Sequence, residues 1–565
     1  MQKLRDASLE IILIIMIGGV IGATLAMVSN LFVIGVQWFE QQREASTLFT
    51  LHIGDQLLSF SSLVYLWIAA AIVVLLKMTF RIKRWAGPAD SIYAAHQVNE
   101  PLDIKTGFAS TLAAFTAASG GASVGQYGPL VHFGATMGIW VKRFVSSRLS
   151  HEVYLGCGVA AAISAGFNAP IAGVIFAHEA ILRHFSLRTI APITVASIAA
   201  SALGNQWFPH PITFEINSAV PPLAEIVPVL VLLAPLFSLV AVCFMWSLRY
   251  SAKRAANSTL SPVVLPFVAA TICGLVGVWI PQILGLGFAS MNSMIAGEFA
   301  LSLLVAVLIA KLLMTALCIG FGLFGGVFSP SLFIGVASGA LAGQLLTLFG
   351  FADIASIISV AGMAAVSSAV IGAPITAVII ILELTQSYTY AVAVMVSVML
   401  CSLITHRLFG HSFFDRQLLD RGINLLKGRE AIALRQLTVA AFSSQNYVSA
   451  GTETTGQSLC QQLKDRGQTE AYIVDREHRL LGKISLYAAL EAGESPIETF
   501  IDSEPVSLYA HNTLDDAIYK VRDFVGESLP VIDAETGRLQ GSITESALFQ
   551  AITNVQKQAR KLELA

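Results

Sequence analysis

The sequence predicts an all-α polytopic membrane domain of broken helices in two repeats, followed by a small soluble α+β domain of two like modules. Three observations predict it. The 565 residues are 55% hydrophobic and only 12% charged, with a mean hydropathy of +0.71, too apolar for a soluble protein of this length. Residues 427–565 nevertheless carry 33 of the 70 charged side chains, so the two parts face different solvents. Blocks of small residues also recur at a nearly constant offset along the apolar part. Lys+Arg total 34 against 36 Asp+Glu, a net charge of −2, which leaves no basic excess for a nucleic-acid backbone and excludes that partner class.

From the N-terminus, MQKLRDASLE mixes Asp6 and Glu10 with basic residues, with no cleavage site after a short apolar run, and reads as a retained cytoplasmic start. Apolar windows near 10–36, 60–80, 190–207, 225–248, 262–285, 299–320 and 388–405 have the length of a spanning or partly spanning helix. Between them, 106–140, 156–182, 321–352 and 354–387 are apolar but interrupted by Gly and Pro, and no charge occurs from Leu312 to Ala352. Broken backbone at membrane depth must be buried in protein or line a cavity, which points to a transport path. Basic clusters at Arg81–Arg84, Lys142/Arg143/Arg148, Arg183/Arg188 and Arg249/Lys253/Arg254 indicate cytoplasmic loops and cytoplasmic termini. The domain boundary is expected near Gly422–Gly428, giving a membrane domain over 1–426 and a tail over 427–565.

The repeat is specific. Ala169-Pro170-Ile171 and Glu179 recur as Ala373-Pro374-Ile375 and Glu383, with Ala160, Ala161 and Ser164 matched by Ala364, Ala365 and Ser368, all at offset 204. At offset 201, Gly125, Pro129, Gly134 and Gly138 are matched by Gly326, Pro330, Gly335 and Gly339. Chance accounts for single pairs of small residues, but not for two blocks at nearly one offset; the repeats are placed at roughly 60–210 and 265–410. In the tail, 471–490 and 529–548 share strand, Asp, turn, Gly-initiated strand and helix, predicting modules over roughly 434–497 and 498–560.

An anion in a membrane needs partial positive charge without a fixed tight salt bridge, and free amides at helix N-termini supply it. Gly125-Gln126-Tyr127-Gly128-Pro129 and Gly326-Val327-Phe328-Ser329-Pro330 each set small residues before a Pro suited to a first helical turn. Both would aim amides at one point if the halves meet antiparallel. Packing glycines alone would account for the Gly but not for the paired Pro.

On these residues the chain resembles the CLC chloride channel/transporter family with a C-terminal pair of CBS domains, over nearly its whole length. The family's GxFxP reads Gly326–Pro330, its GREGP reads Gly125–Pro129, and residues 168–179 resemble its NAPLAG…E segment. The resemblance implies a homodimer of inverted-repeat subunits in a lipid bilayer, each with its own anion path, and neither enzymatic activity nor a cofactor. It also marks departures. The gating Glu falls on Tyr127, and the exchangers' inner proton-carrying Glu on Ala180, with Glu179 beside it. A phenol of ordinary pKa near 10 carries protons poorly at neutral pH, so Tyr127 is expected to gate sterically. The family's GSGIP falls on Gly87–Ser91 with Pro88 in place of the Ser, a change that accompanies nitrate preference in plant relatives; Ser91 restores a hydroxyl if the register shifts. The central Tyr falls on Phe414. Anion contacts are thus expected at Gly87, Pro88, Gln126, Gly128, Val327, Phe328 and Phe414, for chloride, nitrate or bicarbonate.

Several residues carry weaker alternatives. Gly121–Gly125 fits GxSxG, but no strand precedes it, which argues against a hydrolase. His178 with Glu179 is a candidate proton relay, His132 a lesser one. Asp90 and Ser91 suit a helix cap as well as an anion role, and Lys311 is expected to snorkel. Six isolated cysteines suggest neither disulfides nor zinc. In the CBS-like modules Ser485 and Thr544 are followed three residues on by Ala488 and Ala547 where nucleotide-binding relatives carry Asp. This argues against nucleotide binding and favours a dimerisation and stability module. The expected function is passive anion conduction at the inner or plasma membrane, a bacterial inner membrane being favoured, with anion/proton antiport second and a non-transporting membrane sensor third.

Overall fold

The computed structural model describes residues 2–46, 50–53, 56–97, 102–145, 149–208, 222–350, 354–425, 428–522, 524 and 526–564. Arg148 of the second basic cluster, the 209–210 end of the first repeat and residues 426–427 at the expected boundary lie outside them.

One compact unit comprises residues 1–95 and 100–422. Its order is α1 (Gln2–Ala45), a hairpin of β1 (Thr50–Ile53) and β2 (Gln56–Ser59), α2 (Ser61–Thr79), α3 (Pro88–Ala95), α4 (Ile104–Ser119), α5 (Tyr127–Phe144), α6 (His151–Phe167), α7 (Pro170–Phe176) with a π-helical turn Ala177–Leu182, and α8 (Leu187–Trp207). Then follow α9 (Leu223–Ala256), α10 (Leu265–Trp279), α11 (Phe288–Ile295), α12 (Leu301–Gly320), α13 (Phe328–Thr347), α14 (Ala355–Ile371), α15 (Pro374–Thr385), α16 (Tyr388–Phe409) and α17 (Phe413–Leu419). Every apolar window of the sequence becomes a helix. The window at 262–285 does so only to Trp279, because Pro281 cannot continue the ladder and a 3-10 turn takes over. Among the described residues six helices are long and apolar enough to cross a membrane. Their outward faces stay apolar, as at Leu75, Leu232 and Trp246, which suits lipid and not water.

α2–α8 and α10–α16 form two sets of seven, tied by reciprocal bonds. The Gly125 N–H donates to the Gly326 carbonyl at 2.8 Å, and the Gly326 N–H to the Gly125 carbonyl at 2.6 Å, an antiparallel bridge between equivalent residues. The Glu179 carboxylate accepts from the amides of Ile375 and Thr376 at the start of α15. The Glu383 carboxylate accepts from those of Ile171 and Ala172 at the start of α7. Such exchange of like contacts is what an approximate two-fold axis requires. The helix breaks are also equivalent: α6 ends at left-handed Asn168 (φ 53°) and α14 at left-handed Gly372 (φ 81°). In each case a Pro two residues on opens the next helix, where its missing N–H costs nothing.

The body of the second unit is 423–565. After α18 (Gly428–Gln436) come β3 (Val448–Ala450), α19 (Gly456–Arg466), β4 (Glu470–Val474), β5 (Leu480–Ser485) and α20 (Leu486–Ala492). β6 (Leu508–Tyr509), α21 (Leu514–Val521), β7 (Ser528–Ile532), β8 (Leu539–Thr544) and α22 (Glu545–Leu564) repeat the pattern. Each three-stranded sheet pairs its first two strands parallel and its last two antiparallel. One core gathers Leu459, Leu463, Ile473 and Ile484, the other Leu514, Leu529, Val531 and Ile543. The two modules meet through Lys483, which pairs with Glu470 at 2.7 Å and donates to the Ser528 carbonyl.

Candidate anion-binding site

The glycine bridge sets the N-termini of α5 and α13 face to face. A Cβ on Gly125 would lie 2.7 Å from Pro330 Cδ, and one on Gly326 2.8 Å from the Gly128 nitrogen, so only glycine permits this approach. Pro129 and Pro330 fall in the first helical turns, where no carbonyl awaits an N–H. The amides of Tyr127, Gly128, Val327, Phe328 and Ser329 have no acceptor among the described residues. The start of α3 joins them: a Cβ on Gly128 would sit 3.5 Å from Pro88 Cγ. Three helix N-termini, each with partial positive charge, thus converge inside the apolar unit.

Tyr127 occupies this point and is fully buried. Its ring stacks on Phe167, centroids 3.9 Å apart at 16°, and lies against Phe328 at 5.4 Å. Its hydroxyl donates to the Gly166 carbonyl at 3.3 Å. Phe328 stacks in turn on Phe176 at 6.4 Å. Four rings from four helices close the space in front of the amides.

A family model described as voltage gated chloride channel matches residues 68–406, more than half of the chain. The chain belongs to the voltage gated chloride channel (CLC) family. A CBS domain model matches residues 497–554, the second module of the tail. The chain is 23% identical over 351 residues to the voltage-gated ClC-type chloride channel ClcB of Escherichia coli O17:K52:H18 (strain UMN026 / ExPEC), which covers 61% of this chain and 84% of ClcB. Two solved structures share the fold. A slow cyanobacterial Cl−/H+ antiporter superposes with a TM-score of 0.63 at 20% identity over 72% of this chain and 97% of its own. A eukaryotic CLC transporter gives 0.59 at 17% identity over 94% and 97%. The protein is therefore a multi-pass membrane protein of an anion channel and transporter family, with a CBS tail.

Other residues singled out in this CLC chain have specific partners. The Gly87 amide donates to the Asp90 carboxylate at 2.9 Å, and the Gln126 amide to the Ser329 hydroxyl at 3.3 Å, so both amides are already engaged. Asp90 acts as a cap, held by Arg84 and Arg421 at 2.6 and 2.9 Å. The Ser91 hydroxyl bonds His132 Nδ1 at 2.8 Å. Phe414 is buried against Phe413 at the start of α17, which packs on α3. Glu179 serves as the cap of α15. His178 Nδ1 donates to the His184 carbonyl at 2.8 Å, its ring stacks on Phe185, and its buried Nε2 has no partner among the described residues.

Lys311 does not snorkel. It is fully buried, donates to the carbonyls of Ile283 and Gly285 at 2.8 and 3.0 Å and lies over the Phe333 ring, because the loop after α10 turns two carbonyls onto it. Ser123, in the GxSxG match, bonds Thr315 from a loop between two helices, where no strand precedes it. In the tail, Ser485 and Thr544 accept from the amides of Ala488 and Ala547 and so serve as helix caps. Sequence reasoning missed Phe167 and Phe176 as partners of the site, since only the fold brings their rings there, and it placed Ser329 in a motif without its bond from the Gln126 amide. The crossed roles of Glu179 and Glu383 had a signal in the offset of 204 they share with the Pro each partner helix begins on.

Proposed function

We propose that the protein conducts a small monovalent anion such as chloride, nitrate or bicarbonate passively, without stoichiometric proton exchange, and that Tyr127 is its gate. The observation that carries this is the neutral phenol stacked on Phe167 in front of unpaired helix-terminal amides, at the position of the family's gating carboxylate. A carboxylate there can shuttle protons; a phenol near neutral pH cannot. It can only swing aside or stay, and its hydroxyl offers a hydrogen bond to a passing anion. The amides of Gly128, Val327 and Phe328 would supply most of the binding, beside Pro88 and Phe414, which lack the hydroxyls common at these places. Such binding is weak, as conduction requires. Glu179 and Glu383 do not substitute for the missing carboxylates, because each spends its oxygens on the first amides of a helix.

The working form is a homodimer in the inner membrane with cytoplasmic termini, in keeping with the basic clusters at helix ends. The CBS pair serves assembly and stability and not nucleotide sensing, as its Ser485 and Thr544 hydroxyls are used as caps. A second reading, coupled antiport, has one specific support in His178 Nε2, an acceptor for a proton with no partner among the described residues.

Chloride efflux from liposomes tests the gate. Tyr127→Ala is expected to raise efflux severalfold. Tyr127→Phe keeps the stack and loses one neutral hydrogen bond, about 0.5–1.5 kcal/mol, and raises efflux by up to about tenfold. Unchanged efflux in Tyr127→Ala would remove Tyr127 from the gate.

A further inference from the structure

A cavity of about 870 Å³ opens where four helices of the membrane unit end, at the last turns of α2, α9 and α12 and the first turn of α10. This is the size range of small-molecule sites, and none of the residues that line it belongs to the converging N-termini. Its wall is apolar, with Val73, Met78, Ala255, Val263, Pro266 and Phe321 among its residues. Its rim is basic, with Lys77, Arg81, Lys83 and Arg84, and no Asp or Glu lines it.

Arg84 is committed to Asp90 at 2.6 Å. Lys77, Arg81 and Lys83 have no acidic or hydrogen-bonding side-chain partner among the described residues. A tendency of helix ends to carry Lys and Arg at one membrane face accounts for isolated cations. It does not account for three uncompensated cations gathered round one apolar hollow. The backbone also holds them there: Arg81 adopts a left-handed conformation (φ 53°) in a place usually given to Gly, and the Ile82 N–H donates to the Lys77 carbonyl at 2.9 Å. On the last turns of α2, Leu75 and the lining residue Met78 are exposed apolar side chains, which suits lipid.

We propose that this cavity binds an anionic phospholipid, its phosphate headgroup held by Lys77, Arg81 and Lys83 and its upper acyl carbons lying along Val73, Met78 and Val263. Charge complementarity sets the headgroup's sign, and the apolar wall at the ends of membrane helices sets a lipid above a free phosphate. The site stands whether or not conduction is proton-coupled.

Native mass spectrometry of the full-length protein, released from vesicles of equal phosphatidylglycerol and phosphatidylcholine, tests it. The wild type is expected to retain phosphatidylglycerol preferentially. The triple variant Lys77→Gln, Arg81→Gln, Lys83→Gln is expected to lose at least about tenfold of that preference. Ala255→Trp, which fills the hollow and leaves every charge, is expected to lose it as well. A control pair outside the cavity, Arg188→Gln with Arg407→Gln, is expected to retain it. Equal retention by the triple variant and wild type would overturn the site. So would loss in the triple variant alone accompanied by displacement with millimolar inorganic phosphate, which would mark a phosphate site and not a lipid site.

Discussion

Gly166 leaves the Tyr127 ring its room: a Cβ there would lie 2.8 Å from Tyr127 Cε1, closer than any real Cβ contact. Gly166→Ala must therefore push the ring off Phe167, at the loss of a stack worth about 0.5–1.5 kcal/mol. On the gating account this substitution raises anion efflux without touching any anion contact; liposome efflux beside Tyr127→Ala checks it, and the two effects combined should fall short of their sum because they act on one ring. At this scale the sequence was informative only where a motif fixed the register. Gly125 and Pro129 located Tyr127, but Phe167 and Gly166 sit on a different helix with no motif of their own. Ser91 shows the same limit: its hydroxyl goes to His132, a partner 41 residues away.

Two carboxylates staple the halves at the level of helices. Removing either strips two amides of their acceptor, so Glu383→Ala is expected to cost about 0.5–2 kcal/mol, as for other helix caps, and Glu179→Ala slightly more through the added Thr376 hydroxyl bond. Thermal unfolding in detergent measures this, and anion selectivity should be unchanged in the protein that remains folded. In the tail, Thr513 and Asp516 form a reciprocal cap at the start of α21. The Thr513 amide and hydroxyl hold the Asp516 carboxyl below its usual range. Its stabilising effect is thus fully present above the ordinary Asp value, about 4, and fades as pH falls through the lowered one. Hydrogen exchange should show α21 amides opening more readily as pH drops below about 4, and Asp516→Asn should flatten that dependence. Helices were legible because hydropathy and Pro/Gly breaks mark them; their crossed capping was not, because it depends on which helix ends meet.

Across the whole molecule, duplication explains the architecture. A single broken-helix unit cannot close its own N-terminus. Two copies meeting antiparallel at Gly125 and Gly326 bury both ends against each other and leave free amides between them. The offset repeat was visible in sequence because the glycines must fit against carbonyls, as Gly134 does against Gly158 and Gly335 against Gly362. Gly326→Val should prevent that closure and abolish both folding yield and flux, seen as loss of a monodisperse species on size exclusion. On the proposed function, a duplicated CLC pathway with a phenol at its gate moves anions alone. The most direct test is the reversal potential of purified protein in planar bilayers under an imposed pH gradient at symmetric chloride. An uncoupled pathway leaves it at zero; a shift with the pH gradient would contradict the account and direct attention to His178.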